Sequence, residues 1–308
     1  MIIRREYLLH EKENIAKMGW ALILRGIIFN LLSIFLIKII GNEGIVLSIS
    51  STIAIVPVLI YIGKDTMIEN IKKKNKAFGL LDILFFLGII LLFSSVFSPV
   101  FDNIEKILNI YGFTSISSTE AVSSSDSLMM IIYIVLIAPV VEEVIYRAVV
   151  MRSIEKYSPS AAIISSAVIF GTMHKNITQT PASIIAGLIL AYAAYRYSIK
   201  FSIIIHILNN LIGQLARITS KMSIEIFSLY TIILYLFILI AIISFIIIKR
   251  RTIRCYIKNI FLDSARKHRQ EKIIKGKETI KVFFTSKSII ILIIIDLLIT
   301  IYQIKTIS

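Results

Sequence analysis

Residues Leu128 to Met151 read LMMIIYIVLIAPVVEEVIYRAVVM. A predominantly apolar run of about 20 residues is what a helix needs to cross the hydrocarbon of a bilayer. This stretch therefore reads as a membrane helix, but one that carries Glu142, Glu143 and Arg147. An ionisable side chain at membrane depth costs at least ~2.5–3.5 kcal/mol on insertion scales, so its default meaning is function.

Similar runs recur on both sides: Met18 to Ile40, Ile45 to Ile62, Phe78 to Val100, Pro159 to His174, Pro181 to Tyr197, Phe201 to Ala216, Phe227 to Ile248 and Ser288 to Ile304. With Leu128 to Met151 they predict an all-α, polytopic transmembrane bundle of eight to nine helices, one integral membrane domain over residues 1–308. The bulk composition agrees. Of 308 residues, 57% are hydrophobic and 17% charged, and the mean hydropathy is +0.85; a soluble domain needs about a quarter of its residues charged. One cysteine, Cys255, excludes a disulfide framework.

The net charge of +15 raises nucleic acid as a partner, but in a membrane chain it reads instead as one-sided basic loops. Arg4, Arg5, Lys12 and Lys17, then Lys64 with Lys72, Lys73, Lys74 and Lys76, then Arg152, Lys156, Arg196 and Lys200 alternate with loops holding little beyond Lys106, Lys175, Arg217 and Lys221. The positive-inside rule puts the first set and the N-terminus in the cytoplasm. Residues 249–287, with 13 Lys or Arg against Asp263, Glu271 and Glu278, read as a basic cytoplasmic loop against anionic lipid. The Ser/Thr-rich loop from Asp102 to Ser127 lies outside. The expected location is the plasma membrane of a bacterium, multi-pass, with the bilayer itself as a partner.

Polar residues concentrate between positions 142 and 210. Glu143 and Arg147 are i and i+4, share a helix face and pair inside the bundle; Glu142 lies about 100° round the helix and is left to face another element. His174 ends the fifth run. His206 and Asn210, again i and i+4, sit on the seventh with Asn209. Glu142 and His174 are each 16 residues from Ser158, hence about 20 Å from the same turn. Three helices thus bring a carboxylate, two imidazoles and an amide to one level. A carboxylate there takes a proton from water, an imidazole holds or shuttles it, and a His and Asn one turn apart donate to an oxyanion. These parts suit hydrolysis of a peptide bond.

In order, Glu142-Glu143-Val144-Ile145-Tyr146-Arg147 reads E-E-x-x-x-R, Phe170 to His174 reads F-x-x-x-H, and His206 to Asn210 reads H-x-x-x-N. Over about residues 125–215 this resembles the CAAX-protease and bacteriocin-processing family, the type II CAAX or Abi proteins, which are intramembrane glutamate-type endopeptidases. The resemblance implies that Glu142 activates water with His174, that His206 and Asn210 form the oxyanion hole, and that Glu143 and Arg147 support the site. It implies a membrane-anchored protein or peptide as substrate and a role in peptide processing, bacteriocin immunity or surface regulation. Eukaryotic members cut prenylated C-a-a-X proteins.

Other readings stand beside it. Two His and a Glu (Glu142, His174, His206) are also a zinc set, although H-E-x-x-H is missing and no cofactor is favoured. A non-catalytic adaptor for a sensor kinase and a proton-coupled transporter are the others; no inverted repeat supports the last. More modestly, His174 caps a helix, and Asn209 or Asn210 bonds between helices. Arg25 and Asp82 are expected to snorkel, His10 and His268 to be solvated, and Asp296 has no evident partner.

Overall fold

The computed structural model describes residues 2–115, 127–260 and 264–306; the Ser/Thr-rich stretch 116–126 and the short interval 261–263 lie outside them. Twelve helices run along the described residues: α1 Ile2–Ile40, α2 Glu43–Ala54, α3 Val56–Ile62, α4 Lys64–Lys72, α5 Leu80–Ile110, α6 Leu128–Glu155, α7 Pro159–Thr172, α8 Gln179–Arg196, α9 Ile199–Met222, α10 Ile224–Ile260, α11 Ser264–Phe284 and α12 Lys287–Tyr302. Two short strands, β1 Phe113–Thr114 and β2 Lys305–Thr306, pair antiparallel with Phe113 opposite Thr306.

The helices begin where local chemistry starts them. The Ser127 side chain accepts from Met130 N at 3.2 Å, Ser158 from Ala161 N at 3.4 Å with Pro159 at the first helical position, and Ser198 from Phe201 N at 3.2 Å. Each satisfies a backbone donor that the first turn leaves orphaned, which matters most where water is scarce.

Helices α6 to α9 form the centre. On one side α6, α7 and α8 share a core with α1, α3 and α12 through Met18, Leu22, Ile145, Val149, Ile169 and Leu292. On the other, α8 and α9 share a second core with α5 and α10 through Phe86, Ile90, Leu190, Phe201, Ile205 and Ile238. Two glycines allow α7 and α8 to approach: a Cβ on Gly171 would lie 2.9 Å from the Ile184 backbone nitrogen, and one on Gly187 would lie 3.2 Å from the Ala167 Cα. Small residues at such crossings are how membrane helices gain close packing.

The all-α bundle expected from the sequence is present, with a smaller number of full spans. Among the described residues six helical stretches are long and apolar enough to cross a membrane, and seven if α11 and α12, bent by 66° at their junction, count as one. Counting apolar runs overestimates because α7 has only 14 residues, about 21 Å at the α-helical rise, well short of a hydrocarbon core of about 30 Å. It is a buried central element enclosed by longer helices.

Several boundaries also shift. Helix α10 continues to Ile260, and Ser264–Phe284 is helical, so much of the basic stretch 249–287 is regular structure. Its second half packs on the bundle, with Phe283 in the first core and Gly276 against Ser158 and Ser160.

Candidate active site

Helix α6 does not wind uniformly. Tyr133–Ile137 and Val144–Met151 are π-helical and flank a short α-helical piece, Ala138–Glu143, that ends on the two glutamates. π-Helical turns are rare and concentrate at functional sites. Here the first carries the Ile134 carbonyl, which accepts from Asn210 Nδ2 at 2.9 Å. Asn210 thus spans from α9 to α6, as an interhelical amide was expected to, and keeps its second amide hydrogen; Asn209 donates to the Asn210 side-chain oxygen at 3.4 Å.

The adjacent glutamates have different surroundings. The Glu143 side chain is 0% exposed. One of its oxygens accepts from Arg147 Nε at 3.1 Å and from the Ser202 hydroxyl, and the other lies 3.1 Å from His206 Nδ1. Arg147, also fully buried, donates to Ser166 Oγ at 2.8 Å, Ser166 donates to the Tyr146 carbonyl at 2.8 Å, and the guanidinium lies 4.9 Å from the Phe170 ring centre. A buried charge persists when it is paired and hydrogen-bonded; this network pairs Arg147 through Nε and Nη1 with groups on α6 and α7, and Nη2 has no hydrogen-bond partner among the described residues. The Glu143–Arg147 pair read from spacing is present. Ser166, Ser202 and the Glu143–His206 contact are additions, though Ser202 lies four residues before His206, a spacing that puts both on one face.

Glu142 is the other case. Its side chain is 25% exposed, and its one ion-pair contact among the described residues is with His206, Oε2 to Nε2 at 3.7 Å. His206 therefore stands between two carboxylates. If Nδ1 donates to Glu143, Nε2 is an acceptor in the neutral ring and a donor in the protonated one.

His174 arrives by a different route. Helix α7 ends at Thr172 with Met173 as C-cap, so His174 lies just beyond the helix, and its Nδ1 is 2.9 Å from the Phe170 carbonyl. That bond caps the helix end, the modest role weighed for it, and also fixes the ring. Phe170 stands between the two imidazoles, its ring centre 5.0 Å from that of His174 and 5.7 Å from that of His206. Glu142 and His174 form no direct ion pair or hydrogen bond; among the described residues the imidazole paired with Glu142 is that of His206. The sequence-derived set of Glu142, His206 and Asn210 is thus linked through α6 and α9, with His174 joined to it across Phe170. No group of three His, Cys, Asp or Glu side chains among the described residues is placed to hold a metal ion, so Glu142, His174 and His206 are not gathered as a ligand cluster.

Residues 124–212 match the family described as Type II CAAX prenyl endopeptidase Rce1-like. Over this segment the chain is similar to that family. No curated protein and no solved structure matches the chain. The Rce1-like segment covers α6, α7, α8 and the first half of α9, and so contains Glu142, Glu143, Arg147, His174, His206 and Asn210 together. The family indicates a membrane protease, a peptide hydrolase of the CAAX type, and the apolar helices make it a multi-pass membrane protein.

Outside the segment, three expectations change. Arg25 does not snorkel; it is buried midway along α1. Asp82 accepts from the Tyr197 hydroxyl at 2.8 Å and from Gly79 N at 3.0 Å, tying the start of α5 to the end of α8. Asp296 has a partner after all, Lys175 at 3.8 Å, which the loop charge pattern assigns to the sparsely charged loops opposite the basic set. His10 is exposed as expected, with its Nδ1 3.0 Å from the Tyr157 hydroxyl.

Proposed function

We propose that the chain is an intramembrane glutamate-type endopeptidase in which Glu142 is the general base. The observation that carries this reading is the division between neighbouring carboxylates: Glu143 has both oxygens committed inside a sealed network, whereas Glu142 is partly accessible and has one distant partner. Only a carboxylate with an uncommitted oxygen and access to water can take a proton from it.

In this reaction a water held at Glu142 attacks the scissile carbonyl carbon while Glu142 takes its proton. The negative charge that develops on the carbonyl oxygen is met by the free amide hydrogen of Asn210 and by Nε2–H of a protonated His206. Glu142 then returns its proton to the departing nitrogen as the C–N bond breaks. Glu143, Arg147, Ser202 and Ser166 hold the His206 ring and α6 in register. His174, fixed through Nδ1 to the Phe170 carbonyl, presents Nε2 as an acceptor that helps hold the water. No metal enters the scheme. The substrate is a membrane-associated protein or peptide, consistent with peptide processing, immunity or surface regulation at a plasma membrane.

The test is to produce the protein and its Glu142→Ala form in the same membrane and compare peptide termini by mass spectrometry. Cleavage products that appear with the native chain alone support the reading. Equal products from both forms count against it, and proton-gradient-driven solute uptake would replace it with transport. In a second arm, activity retained in excess chelator supports metal-free hydrolysis, and activity lost to chelator and regained with stoichiometric zinc overturns it.

A further inference from the structure

A second group of buried charges adjoins the site and is built largely from outside the Rce1-like segment. Asp296, midway along α12, is 2% exposed, and Arg25 on α1 is 8% exposed. Neither Arg25 Nε nor Asp296 Oδ2 has a hydrogen-bond partner among the described residues. Lys175 Nζ lies 3.8 Å from Asp296 Oδ1. Intramembrane ionisable residues in this arrangement point to function.

The backbone supplies an independent observation. Lys175 has φ of +52°, the one non-glycine residue in the left-handed region among the described residues. Glycine or asparagine adopts that conformation at lower cost, and strain of this kind persists where the surroundings hold it and clusters at active sites. Two things hold it here. The His174 and Lys175 amides make tight bonds to the Gly171 and Thr172 carbonyls, at 3.1 and 3.0 Å, and the Lys175 side chain is tethered to Asp296. Lys175 directly follows His174, so the turn that carries the tether also sets where the His174 ring stands.

We propose that Asp296 is a positioning residue for His174, acting through Lys175. Its carboxylate anchors the lysine across from α12, keeps the left-handed turn closed and so fixes His174 beyond the end of α7. Removing that carboxylate leaves the half-buried Lys175 without its ion-pair partner; the lysine leaves, the turn relaxes and the ring moves. The inference rests on the reading of His174 as part of the hydrolytic site, but its first readout does not need catalysis.

The experiment uses the full chain labelled with [15N]histidine, in detergent, with the His174 signal assigned by its loss in His174→Gln. Asp296→Asn and Lys175→Ala are each expected to shift the His174 ring nitrogens while leaving those of His10 in place, and the exchanged pair, Asp296→Lys with Lys175→Asp, to move them back. An unchanged His174 signal in Asp296→Asn overturns the proposal. With a fluorogenic farnesylated C-a-a-X peptide as probe, each single variant is expected to lower kcat about 10- to 100-fold at unchanged KM, and the double variant Asp296→Asn/Lys175→Ala to be no slower than either. Additive losses would mean the two act separately and would also overturn it. Glu142→Gln run in parallel separates the two claims: native-like cleavage by that variant removes the proposed reaction, while the His174 signals still decide the tether.

Discussion

At the residue scale the site depends on giving each polar group one task. Asn210 bonds the Ile134 carbonyl with one hydrogen and, in the proposed reaction, offers the other to the oxyanion. Asn210→Ala is expected to lower kcat about 10²- to 10³-fold, the usual loss for one oxyanion donor, with KM little changed, as steady-state kinetics on a cleaved peptide would show. Ser202 has no such reactive task. Its hydroxyl serves the Glu143 carboxylate and the Leu190 carbonyl, so Ser202→Ala is expected to cost stability, about 1.5–3 kcal/mol for a hydrogen bond to a charged group, measured as a lower midpoint of thermal unfolding in detergent.

Much of this site was legible in the amino-acid order. Spacing alone paired Glu143 with Arg147 and freed Glu142, and the depth argument brought α6, α7 and α9 to one level. The partner of Glu142 was not legible. Helical periodicity says which residues share a face of their own helix but not which ring on another helix comes nearest, and here that ring belongs to His206 rather than His174.

At the scale of elements, the closeness of α7 and α8 controls the position of Phe170, the ring between the two imidazoles. A Cβ on Gly187 would lie 2.9 Å from Phe170 Cδ1 and 3.2 Å from the Ala167 Cα and carbonyl oxygen. Gly187→Val is therefore expected to destabilise the protein by about 1–3 kcal/mol, the range for overpacking, and to reduce cleavage by displacing Phe170. Thermal unfolding and cleavage rate measured on the same preparation check both parts. The π-helical turns of α6 had no sequence signature in the reading, because hydrophobic patterning over so short a stretch does not distinguish π from α winding. The 14-residue α7 was visible as an apolar run, and its length was the clue that it does not cross alone.

For the whole molecule, an Rce1-like segment of four helices is enclosed by apolar helices that belong to no matched family region, and some of those contribute charge to it. Lys175 and Asp296 meet only after the chain closes. Asp296 lies 121 positions beyond Lys175, so no local pattern reveals the pair. The alternation of basic loops does make a global prediction, an N-terminus in the cytoplasm. A reporter that fluoresces only in the cytoplasm, fused ahead of Met1, is expected to light, and a dark reporter with normal protein levels would reverse the assigned orientation.

The central claim is that two successive carboxylates do different work, Glu142 on the substrate and Glu143 on the structure. The most direct measurement compares Glu142→Gln and Glu143→Gln in liposomes, reading single-turnover peptide cleavage and thermal unfolding on each. The account predicts that Glu142→Gln unfolds like the native protein but cleaves about 10²- to 10⁴-fold more slowly. It predicts that Glu143→Gln, which leaves Arg147 buried without its counter-charge, loses about 3–5 kcal/mol of stability. Native-rate cleavage by Glu142→Gln would contradict it.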